Sequence, residues 1–192
     1  MSNVINVKKR NGRGMEPLQL EKMHKMVDMA CEGLAGVSAS QVEIQSGIQF
    51  YDGITTAEIQ EILIRSASDL ISLDNPNYQY VAARLLLYAI RKSLYGRLWE
   101  LPHLYDHITD CIEKDVYDAD ILVKYTKEEI ETLNDIIDHG RDFIFTYAGL
   151  RQVADKYLVQ DRSSGKVYET PQFMYLSVSY THLRAHETTN YR

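Results

Sequence analysis

The chain opens with Val4-Ile-Asn-Val-Lys-Lys-Arg-Asn-Gly12, a short basic stretch that ends in a turn signal. Ile5 and Val7 alternate with polar residues, which is typical of a half-buried strand, here over residues 3–10. Asn11-Gly12 tolerates positive φ and therefore predicts a tight turn. The chain thus begins with the first strand of a predicted β-hairpin.

A second short strand, over residues 16–19, is expected to complete this hairpin. Because Pro17 has no N–H to donate, the second strand must lie at the edge of its sheet. Four helices are predicted to follow the hairpin. They are expected over residues 20–34, over residues 40–49, from Thr55 or Thr56 onwards, and from Pro76 to Gly96.

Local signals mark the starts of the third and fourth helices. Thr55-x-x-Glu58 is a capping box, and Pro76 is expected at the first helical position, where its missing N–H costs nothing. Apolar residues at helical spacing predict the buried face of each helix. These residues are Leu20, Met23, Val27, Ala30, Cys31 and Leu34; Val42, Ile44 and Ile48; Ile59, Leu63, Ala67, Leu70 and Ile71; and Tyr78, Val81, Leu85 and Ala89.

Beyond residue 96 the apolar pattern loosens, which predicts a domain boundary near residues 96–100. The expected domains are residues 1–96, an incomplete second domain over 97–178, and a polar, aperiodic tail over 179–192. Further elements are predicted within the second domain. They are helices over residues 102–114, 126–138 and 146–157, strands over 157–160 and 166–169 around a turn, and a helix from 173 to 178.

The composition indicates a globular protein with one basic end. The 192 residues are 45% apolar and 25% charged, which excludes a disordered chain, and the net charge of -6 argues against a general nucleic-acid binder. The first 25 residues hold six Lys and Arg against two Glu, a net charge of +4, so the remaining 167 carry -10. This distribution suggests a small anion as ligand.

The cysteines and apolar runs exclude other classes. Cys31 and Cys111 are too far apart in sequence to indicate a disulfide framework or a paired-cysteine zinc site, and each is expected to be a buried small apolar residue. The longest apolar run, residues 85–90, is too short to span a bilayer. We therefore expect a cytoplasmic protein that contacts neither membrane nor nucleic acid.

A phosphate site in this chain would have to use side-chain cations. The sequence has no phosphate-binding P-loop, and Gly12-Arg13-Gly14 lacks the third glycine of a dinucleotide-binding turn. Lys9 shares a strand face with Val7, and Lys92 follows Tyr88 by one helical turn. A triphosphate held by such cations and by the start of the third helix would satisfy both the charge and the helix dipole. The cations in question are Lys9, Arg10, Lys22 and Lys92, and the same spacing is also compatible with solvated surface lysines.

Several longer motifs resemble one known family. Ile48-Gln-Phe-Tyr-Asp-Gly-Ile54, Tyr78-Gln-Tyr-Val-Ala-Ala-Arg-Leu85, Arg91-Lys92 and Tyr95-Gly96 resemble the ATP-cone of the large subunit of class I ribonucleotide reductase. The similarity continues to Gln172-Phe173, so it covers the chain up to about residue 178.

The resemblance implies a mainly α fold, a β-hairpin over a four-helix unit, with an allosteric site that binds ATP or dATP together with Mg²⁺. It implies that Lys9 and Arg10 hold phosphate, that residues 16–22 wrap the base and ribose, and that Glu16 accepts from an adenine amino group. The remaining positions assigned to the site lie on the third and fourth helices. In full, the implied nucleotide-binding residues are Lys9, Arg10, Glu16, Pro17, Leu18, Gln19, Leu20, Glu21, Lys22, Thr56, Gln60, Tyr88 and Lys92.

This sequence departs from the family pattern in two places. The hairpin turn over residues 11–15 is one residue longer, and Gln60 stands where the family often has a histidine. Glutamine keeps the hydrogen-bonding capacity of histidine but loses the titratable cation, so inhibition by dATP follows less directly from the resemblance than binding does.

The resemblance also implies a helical connector and a short hairpin that lead into an α/β barrel, where a thiyl cysteine and a redox-active pair reduce ribonucleoside diphosphates. Cys31 and Cys111 lie outside that region, so no catalytic residue is expected in this chain and the chain alone is expected to be inactive. The implied partners are a small radical-generating subunit, thioredoxin or glutaredoxin, and a second large subunit in a homodimer.

One alternative is a free-standing ATP-cone module that regulates a partner without doing chemistry. Transcriptional repressors of that kind carry a zinc ribbon, whereas this chain lacks paired cysteines. A free-standing sensor would also have no need of residues 100–178, which favours the reductase.

Two histidine pairs at helical spacing suggest metal ligands only weakly. His182 and His186 lie in the polar tail, with no third ligand nearby, and His103 with His107 is expected at a helix surface. No metal site is predicted.

Overall fold

A computed structural model describes residues 5–9 and 14–178 of the chain. These residues group into two units. The first contains the described residues up to Ala89 together with Phe143–Arg151, and the second contains Ile90–Asp142 and the described residues from Gln152 onwards. The predicted boundary near residues 96–100 stays a prediction. The predictions for Arg10, the turn at 11–13 and the tail from 179 lie outside the described residues.

A three-stranded sheet forms one side of the first unit. Its strands are β1 (Asn6–Lys8), β2 (Met15–Pro17) and β3 (Ile54–Thr55), in the order β2-β1-β3. The predicted hairpin is confirmed, since β1 and β2 pair antiparallel. The parallel partner β3 was not predicted, because two residues directly before a helix carry no strand pattern of their own.

Four helices follow in the first part of the chain, as predicted. They are α1 (Leu20–Cys31), α2 (Ala39–Gly47), α3 (Thr56–Asp69) and α4 (Tyr78–Tyr95). The expectation that Pro76 opens α4 was wrong, because residues 76–77 form a turn and the helix begins at Tyr78. The end of α1 is also earlier than predicted, since Gly33 adopts a φ of +72° soon after Cys31.

The apolar residues at helical spacing predict much of the core, but some of those near the ends of helices are not buried. Leu20, Ile44, Ile48 and Ile71 were expected inside and are exposed, each lying near the end of its helix or on the outer side of α2. By contrast, α4 is buried on nearly every side. The apolar side chains of this unit that are fully buried include Val27, Ala30, Val42, Ile54, Leu63, Ile64, Ala67, Val81, Ala82, Leu85, Leu87 and Leu150.

The chain beyond α4 continues as short helices and one hairpin. The elements are α5 (Leu104–Glu113), α6 (Asp120–Lys124), α7 (Lys127–Asn134), a 3-10 helix (His139–Ile144), α8 (Tyr147–Lys156), β4 (Gln160–Asp161), β5 (Lys166–Val167) and a helix over residues 171–178, α9. The predicted helices and the predicted hairpin are confirmed, whereas α6 and the 3-10 helix were not predicted. Neither is long enough to show helical periodicity.

The second unit has its own core, formed by Leu104, Ile108, Ile130 and Phe173. His107 was expected at a helix surface, and this was wrong. Its ring is buried and stacks on the Phe173 ring with the ring centres 4.3 Å apart. The apolar face of α5 includes position 107 at the spacing of 104, 108 and 111, so His107 is drawn into the core.

A buried ion pair ties the 3-10 helix to the last turns of α4. Arg91 Nη2 lies 3.1 Å from Asp142 Oδ2 and donates to the His139 carbonyl at 2.7 Å. Burial raises the pKa of Asp142 to about 6, and the neighbouring Arg91 opposes that shift. Among the described residues, no helix is long and apolar enough to cross a membrane.

Candidate functional site

The parallel pairing of β1 with β3 determines where Lys9 lies. Val7 is opposite Ile54 and Lys8 is opposite Thr55. One residue further along each strand, the same register leads to Lys9 and to Thr56, which is the first residue of α3. The sheet therefore delivers a lysine to the N-terminal end of a 14-residue helix.

That helix end is capped as the sequence predicts. Thr55 Oγ1 accepts from the Glu58 N–H at 3.1 Å, and Glu58 Oε2 accepts from the Thr55 N–H at 2.8 Å. The Thr55 hydroxyl donates to the same carboxylate, and this bond lowers the pKa of Glu58. A helix N-terminus carries a partial positive charge, so anions are stabilised there.

Lys9 and Glu16 form a salt bridge across the hairpin. Lys9 Nζ lies 2.7 Å from Glu16 Oε2, and both side chains are about two-fifths exposed, at 41% and 42%. Glu16 pairs with Val7 in the sheet, so its side chain lies on the same face as that of Lys9. The sequence assigned phosphate to one of these residues and adenine to the other, and the structure brings the two together.

Residues 16–22 run from β2 into the first turn of α1. The Leu18 N–H donates to the Ile5 carbonyl at 2.8 Å, which holds this segment against β1. Pro17, Gln19, Leu20, Glu21 and Lys22 are exposed, and the exposed fraction of Leu20 is 60%. The segment therefore offers an apolar surface and charged groups next to the Lys9–Glu16 pair.

Gln60 and Tyr88 lie in the core of the first unit. Gln60 is 5% exposed, and its Nε2 lies 3.9 Å from the Met26 sulfur, so this contact joins α3 to α1. Tyr88 is 2% exposed, and its ring meets the Phe143 ring edge-on with the centroids 6.0 Å apart. Both residues are therefore part of the core of the first unit, and their roles in the site stay predictions.

The other two cations of the predicted site are Lys92 and Arg10. Lys92 lies in the last turn of α4, within the second unit, and is exposed. Arg10 lies outside the described residues. Their roles stay predictions.

Asp52 is a supporting residue that the sequence analysis missed. Its Oδ1 accepts from the Asn6 N–H at 2.8 Å and from Asn6 Nδ2 at 2.9 Å, and the Gly53 N–H donates to the Asn6 carbonyl at 2.8 Å. The bond from the Asn6 backbone lowers the pKa of Asp52. This clasp fixes β1 against the loop before β3. The Asp-Gly pair was visible in the sequence, but nothing local identified Asn6 as its partner.

The cysteines are not activated thiols. Burial raises the pKa of Cys31 to about 11 and that of Cys111 to about 12, so both are neutral thiols near pH 7, and both are free. Within residues 5–9 and 14–178, no three His, Cys, Asp or Glu side chains group together as metal ligands. The chemistry that the described site offers is anion binding.

Comparison with known proteins agrees with this assignment. Residues 5–93 match the ATP cone domain family. The chain is 48% identical over 179 residues to the ribonucleoside-diphosphate reductase alpha subunit of Haemophilus influenzae and to the reductase 1 alpha subunit of Escherichia coli, in each case over 93% of this chain and 23% of the relative. The alpha subunit of Enterobacteria phage T4 is 42% identical over 91% of this chain and 23% of its own length.

Residues 5–93 are therefore an ATP cone, a nucleotide-binding regulatory domain. Because the identity extends over 179 residues, the relationship continues well past the cone. The chain is similar to ribonucleoside-diphosphate reductase alpha subunits over 93% of its length, and it spans about a quarter, 23%, of the length of the curated relatives it matches.

Proposed function

We propose that this chain binds ATP or dATP at the surface formed by the hairpin, residues 16–22 and the start of α3, and that the bound nucleotide regulates the protein. The observation that carries the proposal is the β1–β3 register, in which Lys8 is opposite Thr55, so that the next residues of the two strands are Lys9 and Thr56. A lysine and a helix N-terminus at one place supply two of the elements that hold phosphate in proteins.

The phosphate groups would replace Glu16 as the salt-bridge partner of Lys9. The Lys9–Glu16 pair is partly exposed, and such pairs contribute only about 0–1 kcal/mol, so a triphosphate can replace the carboxylate at small cost. Arg10, Lys22 and Lys92 supply further positive charge in this proposal. Mg²⁺ binds largely through phosphate oxygens and retained waters, so the nucleotide would bring the metal ion with it.

The base and ribose would lie along residues 16–22. Once Lys9 has turned to phosphate, the Glu16 carboxylate is available to accept from the amino group of adenine. Leu20 offers exposed apolar surface for the purine ring. Gln60 and Tyr88, both buried, would position α3 and α4 beneath the site rather than contact the base directly.

We further propose that the whole protein reduces ribonucleoside diphosphates in the cytoplasm. Its relatives are named ribonucleoside-diphosphate reductase alpha subunits, and this name supports a small radical-generating subunit, a thioredoxin or glutaredoxin, and a second large subunit as partners. The described part of the chain would then contribute regulation, while the reaction takes place elsewhere in the protein. A free-standing cone module is the less favoured alternative, because the similarity to reductases extends far beyond residue 93.

Calorimetric titration of the full 192-residue chain with ATP and Mg²⁺ tests the site. Lys9→Ala removes the proposed phosphate ligand, and Lys8→Ala is the matched control, since Lys8 is the exposed neighbour on the other face of β1. A charge-assisted hydrogen bond contributes about 1.5–3 kcal/mol, so we expect Lys9→Ala to weaken binding about tenfold or more. Lys8→Ala should change the affinity less than about twofold, because the exposed Lys8 side chain lies on the other face of β1.

Two results would reject different parts of this proposal. Equal ATP affinity in Lys9→Ala and the unsubstituted chain would remove Lys9 from the site but leave nucleotide binding intact. No detectable binding of ATP or dATP to the unsubstituted chain would remove the proposed function itself.

A further inference from the structure

The first unit contains a segment from far along the chain. Residues 143–151, which we call the return segment, group with the ATP cone although the cone match ends at residue 93. The segment comprises the end of the 3-10 helix and the first half of α8. The residues directly before and after it, Asp142 and Gln152, belong to the second unit.

The return segment contacts α3 and α4, the two helices that carry the remaining residues assigned to the nucleotide site. Arg151 Nη2 lies 2.6 Å from Glu61 Oε1 on α3. The Phe143 ring meets the Tyr88 ring on α4 edge-on, with an interplanar angle of 64°. Leu150, between these two contacts in sequence, is fully buried, so the segment packs as part of this unit.

The contact with α3 is close to the proposed phosphate end of that helix. Glu61 follows Gln60, and consecutive helical residues point about 100° apart. Gln60 therefore faces Met26 of α1, while Glu61 faces the return segment. Thr56, at the start of the helix, lies less than two turns from Glu61, so any displacement of α3 on nucleotide binding moves the Glu61 carboxylate as well.

Residue Arg151 is held in place from its own side as well. Its guanidinium carbon lies 5.9 Å from the centre of the Tyr147 ring, one helical turn earlier in α8. The side chains of Arg151 and Glu61 are 34% and 46% exposed, so their ion pair adds little to the stability of the fold. Because this ion pair joins α3 to α8 and contributes little to stability, a small displacement of either helix can break or form it.

We propose that the return segment couples occupancy of the nucleotide site to the rest of the chain, through Arg151–Glu61 on α3 and Phe143–Tyr88 on α4. This inference rests on the proposed function and specifies how that site is read out. Because both flanks of the segment are covalently continuous with the second unit, a change in the segment passes to residues before and after it. Linkage is reciprocal, so if nucleotide binding stabilises the packed segment, the packed segment favours nucleotide binding by the same factor.

Hydrogen exchange of the full chain, with and without ATP and Mg²⁺, tests this coupling. In the unsubstituted chain, we expect ATP to slow exchange at the start of α1, in α3 and also over residues 143–151, although the last of these takes no part in the proposed site. Arg151→Gln should keep the protection at α1 and α3 but reduce the ATP-dependent protection of the return segment severalfold. It should also weaken ATP binding about fivefold, the lower end of the range that allosteric couplings show.

Arg141→Gln is the matched control, since it removes the same charge from an exposed arginine whose carboxylate partner, Asp138, lies three residues away. This variant should behave as the unsubstituted chain in both measurements. Phe143→Leu tests the second contact independently and should also reduce the ATP-dependent protection of the segment.

The proposal is overturned if ATP protects α1 and α3 in the unsubstituted chain but leaves residues 143–151 unchanged. It is also overturned if Arg151→Gln and Phe143→Leu both retain full ATP-dependent protection of the segment. No ATP binding at all would instead reject the proposed function. The first of these outcomes is measured on the unsubstituted chain, so the proposal can be tested even if a variant fails to fold.

Discussion

Lys9 Nζ and Glu16 Oε2 lie 2.7 Å apart across the β1–β2 hairpin. The third strand of the same sheet, β3, leads directly into α3. This salt bridge occupies the lysine that we assign to phosphate. Glu16 is thus a competitor for Lys9 in the free protein and, by our proposal, an adenine ligand in the bound one. The two roles can be separated by ligands that lack a base.

Replacing Glu16 with glutamine should therefore have opposite effects on two ligands. Glu16→Gln removes the carboxylate that competes for Lys9, so we expect inorganic tripolyphosphate to bind a few times more tightly, about the factor that a partly exposed ion pair supplies. The preference for ATP over GTP should decrease. Calorimetry with the three ligands measures both effects. Glu32→Gln, an exposed substitution with the same change in charge, should alter neither, and unchanged tripolyphosphate affinity in Glu16→Gln would contradict the competition.

The capping box of α3 allows stability and binding to be compared. Thr55→Ala should lower the free energy of unfolding by about 1 kcal/mol, because the Glu58 N–H loses its acceptor. Thr126→Ala removes the equivalent cap of α7, where Thr126 Oγ1 accepts from the Glu129 N–H at 3.3 Å. Thermal denaturation should show similar losses in the two variants. Only Thr55→Ala should weaken ATP binding, and equal binding losses in both would indicate a purely structural effect.

Asp52 should make the first unit sensitive to acid. Its pKa is lowered from 3.8 by the Asn6 hydrogen bonds, so the clasp contributes stability above pH 3.8 and loses it as the pH falls through the lower folded-state pKa. Asp52→Asn should lower Tm near pH 7, and the difference from the unsubstituted chain should shrink towards pH 3. Thermal scans over this range measure the effect. A difference that stays constant with pH would contradict it, and the exposed Asp74→Asn serves as the control.

His107 should impose a different acid dependence, in the second unit. Burial lowers the pKa of His107 from 6.5 to about 4. Between these two pH values the His107 side chain is protonated in the unfolded chain but not in the folded one, so the free energy of unfolding falls as the pH drops from 6.5 towards 4. The linked loss is on the order of 3 kcal/mol. His107→Phe, which keeps an aromatic ring against Phe173, should flatten this part of the stability profile, and the effect is measured by denaturant titration at several pH values.

The flattening should be incomplete, because His139 also has a pKa lowered to about 4 by burial and by the nearby Arg91. His103→Gln is the control, since the His103 side chain is exposed, and its profile should match that of the unsubstituted chain. An unchanged slope in His107→Phe would show that His107 does not contribute to the acid dependence.

The elements that could be predicted are those with short-range signals. The caps at Thr55 and Thr126 need only a residue three positions away, and the amphipathic stripe of α3 repeats within one helix. Exposed Ile44 and Ile48 show the limit of such patterns, because apolar spacing identifies a helical face but not whether a neighbour covers it.

The sequence by itself determined the hairpin and four-helix order of the first part, because these depend on residues close together in the chain. It also carried the family resemblance and the candidate cations, which rest on individual residues and short motifs. The tertiary structure alone decided that Lys9 pairs with Glu16, that β1 meets β3, and that residues 143–151 return to α3 and α4. The first relation depends on which side chains meet across the hairpin, and the other two join residues that are tens of positions apart. They depend on strand register and on which helix faces meet, and these are set by the packing of the whole unit rather than by any local pattern.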